Sequence, residues 1–522
     1  MIFRSPLPEV EIPGGDLTSV LLGKADELKD RPALIDGPSG RTLSFGDLKT
    51  HVRLFAAGLH QRGFKKGDVF AIFCPNVPEY AVAFLGVAAV GGINTTVNSL
   101  YSSDDLIHQF KDSGARFLLT VAPFLDRALP AAQACGIEEV FVLGEAENCT
   151  PYAALLQNDG NMPEVDIDPE KDLVVLPYSS GTTGLSKGVM LTHRNLVANM
   201  VLALSVNDVD ETDTTIAVLP FFHIYGMVLI LCLAIYRGAL LVTVPRFELE
   251  QFLELIQKHR ATFLSLVPPL VLALAKQPMV DNYDLSSIKR ISCGAAPLGE
   301  ELQKACARRL DCIIYQGYGL TEVSGASHVC KAEMSAQYPG SVGYVLPNTE
   351  SKFVDTETGA ELGRNERGEI CIRGPHVMVG YLNNKQATEG CIDNEGWFHT
   401  GDVGFIDDND IFYVVDRVKE LIKYKGYQVA PAELEALLVS NPHIADAAVI
   451  PSPDEEAGEV PKAFIVRKDD ISEEEILKFV AEQVAPHKKI RRLEFVDEIP
   501  KSASGKILRR FLVEKERQRL AS

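Results

Sequence analysis

Along the chain, apolar runs of strand length alternate with stretches in which apolar positions recur at helical spacing. Val69-Phe-Ala-Ile-Phe73 is continuously apolar and predicts a buried strand, Tyr80 to Val90 predicts a helix, and Leu43-Ser-Phe opens a helix-like stretch to Arg62. Ala115 to Val121 and Glu139 to Leu143 repeat the rhythm, which is that of βαβ units with no internal repeat. A polar segment of weak pattern runs to about Glu170. Asp172-Leu-Val-Val-Leu-Pro177 then predicts a strand, and Met190 to Leu196 predicts the opening of a helix. Near the C-terminus, Pro431 suits a first helical turn, with Leu434, Leu437 and Leu438 forming one apolar face. Ala447 to Ile450 and Ala463 to Val466 predict strands. Ser472-Glu-Glu-Glu475 is a capping box, opening a helix that carries Ile476, Phe479, Val480 and Val484 on one side.

A chain of 522 residues exceeds one ordinary core, so two or more domains are expected. The net charge of −20 argues against a nucleic acid or an anionic membrane as partner, because both require clustered Lys and Arg. Ten scattered cysteines without a C-x-x-C pair read as reduced thiols of a cytoplasmic protein. The first residues do not pattern as a secretory signal, the last do not form a Ser-Lys-Leu address, and the longest apolar stretch, Met227 to Ile235, is too short to span a bilayer.

Tyr178-Ser-Ser-Gly-Thr-Thr-Gly-Leu-Ser-Lys-Gly-Val189 follows the strand ending at Pro177. Its glycines allow close backbone approach, Ser179, Ser180, Gly181, Thr182 and Thr183 offer donors to anionic oxygens, and Lys187 adds positive charge. A plain surface loop has the same composition, and the string fits neither the P-loop nor the dinucleotide template. Further strings follow in order. Val218-Leu-Pro-Phe-Phe-His-Ile-Tyr-Gly-Met227 sets His223 among apolar residues, where a lone histidine is most often a satisfied core residue. Ile291-Ser-Cys-Gly-Ala-Ala-Pro-Leu298 is a strand ending in small residues, and Gln316-Gly-Tyr-Gly-Leu-Thr-Glu322 lacks the third glycine of a dinucleotide site. Arg367-Gly-Glu-Ile-Cys-Ile-Arg-Gly374 alternates as a strand, its cysteine reading as structural. Trp397-Phe-His-Thr-Gly-Asp402, Asp416-Arg417 and Pro500-Lys-Ser-Ala-Ser-Gly-Lys506 complete the set.

In this order, from the first residues nearly to the last, the strings resemble the adenylate-forming superfamily of acyl-CoA ligases, peptide-synthetase adenylation domains and luciferases. Gly368 to Gly374 and Phe221-Phe-His-Ile-Tyr225 are similar to the 4-coumarate:CoA ligases in particular. The resemblance implies an α/β fold: a large N-terminal domain, residues 1–417, of stacked α/β sheets plus a small β-barrel-like part, and a smaller mobile α/β domain, residues 418–522, turning about a hinge at Lys419. It implies a ligase that uses ATP with Mg²⁺ to adenylate a small carboxylic acid, here a hydroxycinnamate, and then transfers the acyl group to coenzyme A. Ser179 to Thr183 and Lys187 would hold phosphates. Gln316 and Gly317 would belong to the ATP/AMP site, Tyr318 would meet adenine, and Thr321 the α-phosphate. Glu322 would hold Mg²⁺, and Asp402 and Arg417 the ribose. His223 would stand between adenylate and thiol tunnel, and Tyr225, Ala295 and Gly319 would line the acid pocket. Lys506 would serve adenylation, Lys423 and Gln428 thioester formation, and Lys425-Gly426 the coenzyme A channel.

Two departures bear on substrate. Ser186 replaces the family's usual proline, and Val323-Ser-Gly-Ala-Ser327 differs from the plant pocket sequence, which leaves a broad or medium-chain fatty acyl ligase as the alternative. A luciferase-like oxidase, a carrier-loading adenylation unit and an ATP-binding regulatory protein are further readings of the same scaffold. A monomer or homodimer is expected.

Overall fold

The computed structural model describes residues 1–522 apart from 180–185, 208, 426, 455, 503–504 and 522. Two large mixed sheets form its body. The first runs Gly380–Tyr381, Lys187–Thr192, Leu173–Ser179, Ile93–Thr96, Val69–Phe73, Ala115–Val121, Glu139–Leu143, Thr150–Pro151, parallel from Leu173–Ser179 onward and antiparallel at the other edge. In Val69–Phe73 every side chain is buried because both faces are covered. Phe70 and Ile72 enter the main core, whereas Val69, Ala71 and Phe73 pack with Phe110, Ala128 and Ala131 of helices Ser103–Ser113 and Leu125–Cys135.

The second sheet has nine strands. Its parallel centre contains Thr214–Ala217, Phe263–Leu266, Arg290–Cys293 and Ile313–Leu320. An antiparallel five-stranded sheet runs from Phe3–Arg4 through Glu350–Val354, Gly368–Arg373 and Phe398–Ile406 to Phe412–Arg417. A separate C-terminal domain has its own sheet, Tyr427–Val429, Ile422–Tyr424, Gly458–Arg467, Ile444–Asp454 and Arg492–Phe495, with its own core around Leu434, Leu438, Ile476 and Val480. The predicted capping box is present, Ser472 accepting from the Glu475 N–H while Glu475 accepts from Ser472.

The pattern misplaces two boundaries. Met190 to Thr192 are strand, because Lys187–Thr192 pairs antiparallel with Leu173–Ser179, and the helix begins at His193 under a Thr192 cap. Likewise Thr42–Ser44 is an edge strand, and Ser44 caps helix Phe45–Gln61 with Asp47. In both places hydrogen bonding to a distant or adjacent strand overrides the helical periodicity that begins one turn later. No helix among the described residues is long and apolar enough to cross a membrane, and Met227 to Ile235 lie buried apart from the half-buried Leu229.

The C-terminal domain packs against the body near the cleft. Lys276 Nζ donates to the Val439 carbonyl at 2.9 Å, and Asp416 accepts from the Ala432 N–H at 2.9 Å, satisfying one of the free donors that open helix Pro431–Ser440. A Cβ at Gly299 would lie 3.2 Å from that of Ala436, so the helix approaches the body closely there.

Candidate active site

A cleft of about 1560 Å³ opens where the two large sheets, the antiparallel sheet and the C-terminal domain meet. Ser179 and Lys187 line it as cross-strand partners on Leu173–Ser179 and Lys187–Thr192. Ser180, Gly181, Thr182 and Thr183, expected phosphate donors, lie outside the described residues, as does Gly426. The strand pair is braced from both sides. Tyr178 donates its hydroxyl to Asp112 at 2.7 Å, His108 Nε2 meets the Ser186 carbonyl at 3.1 Å, and a Cβ at Gly188 would press on the Tyr178 ring at 3.1 Å. Lys187 lies with Nζ 4.8 Å from the centre of the Tyr381 ring.

Strand Ile313–Leu320 delivers Gln316, Gly317, Tyr318 and Gly319 to the cleft wall, and the single turn Thr321–Val323 that ends it delivers Thr321 and Glu322. Tyr318 donates its hydroxyl to Asp402 Oδ2 at 2.7 Å, and Arg417 Nε lies 3.4 Å from Asp402 Oδ1. Asp402 and Arg417 are themselves Cα partners on strands Phe398–Ile406 and Phe412–Arg417. Burial raises the Asp402 carboxyl above its ordinary range, and the Arg417 guanidinium and the Tyr318 hydroxyl oppose that rise. Burial, followed by the Asp402 charge, holds the Tyr318 phenol well above its usual range, so it is a donor at any working pH. Tyr318→Phe removes one of the two partners of a buried carboxylate. It is expected to raise the KM for ATP about tenfold, on the order of 1.5 kcal/mol, with the fold retained, measured by steady-state kinetics with ATP varied.

Glu322 is buried at the cleft wall and accepts the Tyr381 hydroxyl on Oε1 at 2.9 Å. One carboxylate at the edge of a nucleotide-sized cleft is the donor set that Mg²⁺ uses when substrate phosphates supply other ligands. The residues therefore fit the ion that the fold family implies.

Lys506 reaches the same cleft from the C-terminal domain. It follows a tight turn in which Lys506 N–H donates to Ser502 Oγ at 3.1 Å and Ser502 N–H to the Lys506 carbonyl at 2.8 Å. Gly505 has φ +77°, and a Cβ there would meet Val267 at 3.2 Å. Glycine thus permits both the turn and its contact with the body. Burial and then the nearby Arg417 lower the Lys506 ammonium from 10.5, while Asp402, Glu322 and Glu420 oppose that shift.

His223 caps the short helix Ile224–Gly226, its Nδ1 accepting from the Tyr225 N–H at 3.3 Å, which leaves the neutral ring's proton on Nε2. Burial, aided by Lys506, pushes the imidazole down to about 3. The ring is therefore neutral throughout pH 5–8. His223→Asn is expected to lower the rate without moving any inflection in the pH–rate profile over that span, measured for the complete reaction.

Three of the expected site residues make contacts that the sequence does not show. Tyr225 donates its hydroxyl to the Ser292 carbonyl at 3.2 Å and its ring backs Gly294, where a Cβ would lie 3.2 Å away. Gln316 spends its side-chain amide on the Leu298 backbone, at 2.9 and 3.1 Å, and on Gln303, at 2.9 Å, so it shapes the wall through its fold contacts. Gly319 lacks a side chain because a Cβ would fall 1.7 Å from the Gly325 carbonyl oxygen, inside the facing strand. Ala295 does line the cleft, held at φ +69°, a left-handed conformation that costs a non-glycine residue about 1 kcal/mol.

Lys423, Gln428 and Lys425 stand apart from this assembly. Lys423 and Gln428 are exposed cross-strand partners on the hairpin Ile422–Tyr424 and Tyr427–Val429, and Lys425 at its tip pairs with Glu456 at 2.5 Å. Lys419 is exposed on the turn that leaves Arg417. The structure also brings in residues that the sequence reading omits. Tyr381 contacts both Glu322 and Lys187 from a two-residue strand that has no motif of its own. Thr400, two residues before Asp402, accepts from the Asp402 N–H at 3.0 Å and donates to the Ile370 carbonyl at 2.8 Å. Its place in Thr-Gly-Asp is a legible turn signal.

Comparison with known proteins agrees with this arrangement. The model of the AMP-binding enzyme family matches residues 23–382, and that of the AMP-binding enzyme C-terminal domain matches residues 433–506. The chain is 45% identical to 4-coumarate–CoA ligase 2 of Petroselinum crispum over 524 residues, 98% of this chain and 96% of that protein. It is also 45% identical to 4-coumarate–CoA ligase 1 of Solanum tuberosum over 534 residues, 100% of this chain and 97% of that protein. Its fold superposes on an anthranilate CoA ligase in complex with anthranoyl-AMP with a TM-score of 0.92 at 24% identity, covering 98% of this chain and 99% of that one. The chain belongs to the AMP-binding enzyme family, the adenylate-forming enzymes, with 4-coumarate–CoA ligases among its full-length relatives.

Proposed function

We propose that the protein is an acid:CoA ligase that converts a hydroxycinnamate such as 4-coumarate to its CoA thioester, releasing AMP and pyrophosphate. The observation that carries this reading is the meeting of Lys506 with Tyr318, Thr321, Glu322, Asp402 and Arg417 in one cleft. Its substrate class is supported by relatives that are alike along nearly their whole length and named for 4-coumarate.

In the first step the acid's carboxylate oxygen attacks the α-phosphorus of ATP and the bond to the β-phosphate oxygen breaks, giving acyl-adenylate and pyrophosphate. The strand pair of Ser179 and Lys187 holds the leaving phosphates, Tyr318 faces adenine, and Asp402 with Arg417 holds the ribose hydroxyls. Thr321 donates to the α-phosphate, and the Lys506 ammonium offsets the charge gathering there. Glu322 and the phosphates would hold Mg²⁺, which supplies charge neutralisation on the leaving group. In the second step the coenzyme A sulfur attacks the acyl carbon and AMP leaves. His223, neutral and beside the adenylate, guards the thiol approach. Lys423 and Gln428 serve this step after residues 418–522 turn about Lys419 relative to residues 1–417. Lys425 and Gly426 border the coenzyme A channel, and Tyr225, Ala295 and Gly319 border the acid. The pairing of Lys506 inside the cleft with Lys423 and Gln428 outside it supports an orientation that suits adenylation.

A monomer or a homodimer is the proposed assembly. Ten free cysteines support a cytoplasmic enzyme. An ATP–pyrophosphate exchange screen across cinnamates, benzoates and fatty acids tests the reading. 4-Coumarate is expected among the best substrates and to yield a CoA thioester. Turnover confined to fatty acids would replace the substrate with the broad acyl alternative.

A further inference from the structure

Strand Gly368–Arg373 turns Glu369 and Cys371 to one face, because side chains two apart on a strand share a side, and Cys371 is the direct cross-strand partner of His399 on Phe398–Ile406. Three potential metal-ligating atoms therefore meet. Glu369 Oε2 lies 3.0 Å and Cys371 Sγ 3.5 Å from His399 Nδ1, and all three fall within 4.8 Å of one another. Their surroundings are ordered as a metal's outer shell is ordered. The second ring nitrogen, His399 Nε2, faces Asp393 Oδ2 at 3.6 Å, and the free Glu369 oxygen, Oε1, accepts the Gly401 N–H at 2.8 Å. Cys371 is buried beneath Trp397 and Val354, while Glu369 and His399 open onto the cleft, which gives an ion its way in.

We propose that Glu369, Cys371 and His399 form a site for a divalent transition-metal ion of the zinc class, separate from the Glu322 position. A thiolate, an imidazole and a carboxylate select zinc or cobalt over magnesium, which prefers an all-oxygen shell. On loading, the Cys371 sulfur bonds the metal and its proton passes to solvent. The ion ties the two strands together three residues before Asp402.

The test is direct binding, independent of ATP, acid or turnover, so its outcome leaves the ligase reading untouched. The full-length protein is dialysed against a chelator and titrated with Co²⁺. Expected is a thiolate-to-cobalt charge-transfer band that saturates at one equivalent per chain and persists in excess Mg²⁺. The band should vanish in Cys371→Ser and persist in Cys149→Ser, a partly exposed thiol elsewhere. His399→Gln should weaken cobalt binding at least roughly tenfold. Circular dichroism establishes that each variant is folded, and His399→Gln carries the test if Cys371→Ser is not. The absence of a saturable band in the wild-type protein, or a band unchanged by both Cys371→Ser and His399→Gln, overturns the site.

Discussion

Lys506→Ala is expected to stop pyrophosphate release from acid plus ATP, by a factor of about 10²–10³ or more, the loss that follows removal of one preorganised charge-stabilising donor. The same variant, given preformed acyl-adenylate and coenzyme A, is expected to make thioester at close to the wild-type rate. The split follows from position. Lys506 shares the cleft with Thr321, Asp402 and Arg417, whereas Lys423 and Gln428 lie exposed on a hairpin outside it. Rapid-quench measurement of each half-reaction reads the two effects separately, and equal losses in both would refute the division of labour. The ammonium's lowered pKa adds a second signature. Only the charged form offsets phosphate charge, so the alkaline limb of kcat/KM for adenylation, which reports the nucleotide-free enzyme, should fall below the ordinary lysine value of 10.5.

Gly319→Ala is expected to be the most destabilising single methyl in the cleft wall. The new Cβ would lie 1.7 Å from the Gly325 oxygen, 2.6 Å from its carbonyl carbon and 2.7 Å from Ala326 Cα. All three are backbone atoms, so relief requires separating Ile313–Leu320 from Gly325–Val329, which pair antiparallel through Gly319 and Ala326. The cost should reach about 3 kcal/mol, and the shift displaces Thr321 and Glu322 at the strand's end. A lower thermal midpoint together with a raised KM for ATP would bear this out. Altered acid preference with an unchanged midpoint would instead show that the strand pair yields and that Gly319 acts only as a border of the acid site.

The contrast between these positions explains what was legible. Tyr318, Thr321 and Glu322 belong to one short string, and the structure sets them on one strand and the turn that ends it; the roles proposed for them rest on the resemblance of that string to the adenylate-forming enzymes. Strand identity was equally legible where burial is two-sided, as in Val69–Phe73. What escaped depends on partners far along the chain. Met190 reads as part of a helix until it pairs with Gly380 at the edge of the first sheet. Nothing near Tyr225 in the chain announces the Ser292 carbonyl, 67 residues away, that takes its hydroxyl. Tyr381 gives no sign of reaching Glu322, 59 residues away.

The buried ammonium of Lys506 would also make the proposed rotation of residues 418–522 a ligand-binding equilibrium. As that rotation carries the lysine into the cleft, the ammonium loses water and meets Arg417, a penalty present in full below the lowered pKa and lost as pH rises towards 10.5. A polyanion in the cleft removes that penalty by facing both cations. Thermodynamic linkage then requires reciprocity: by whatever factor nucleotide favours the closed orientation, closure favours nucleotide. The lysine is thus a meter of occupancy as well as a participant in the chemistry, and release of pyrophosphate withdraws the anionic charge that keeps the domain shut.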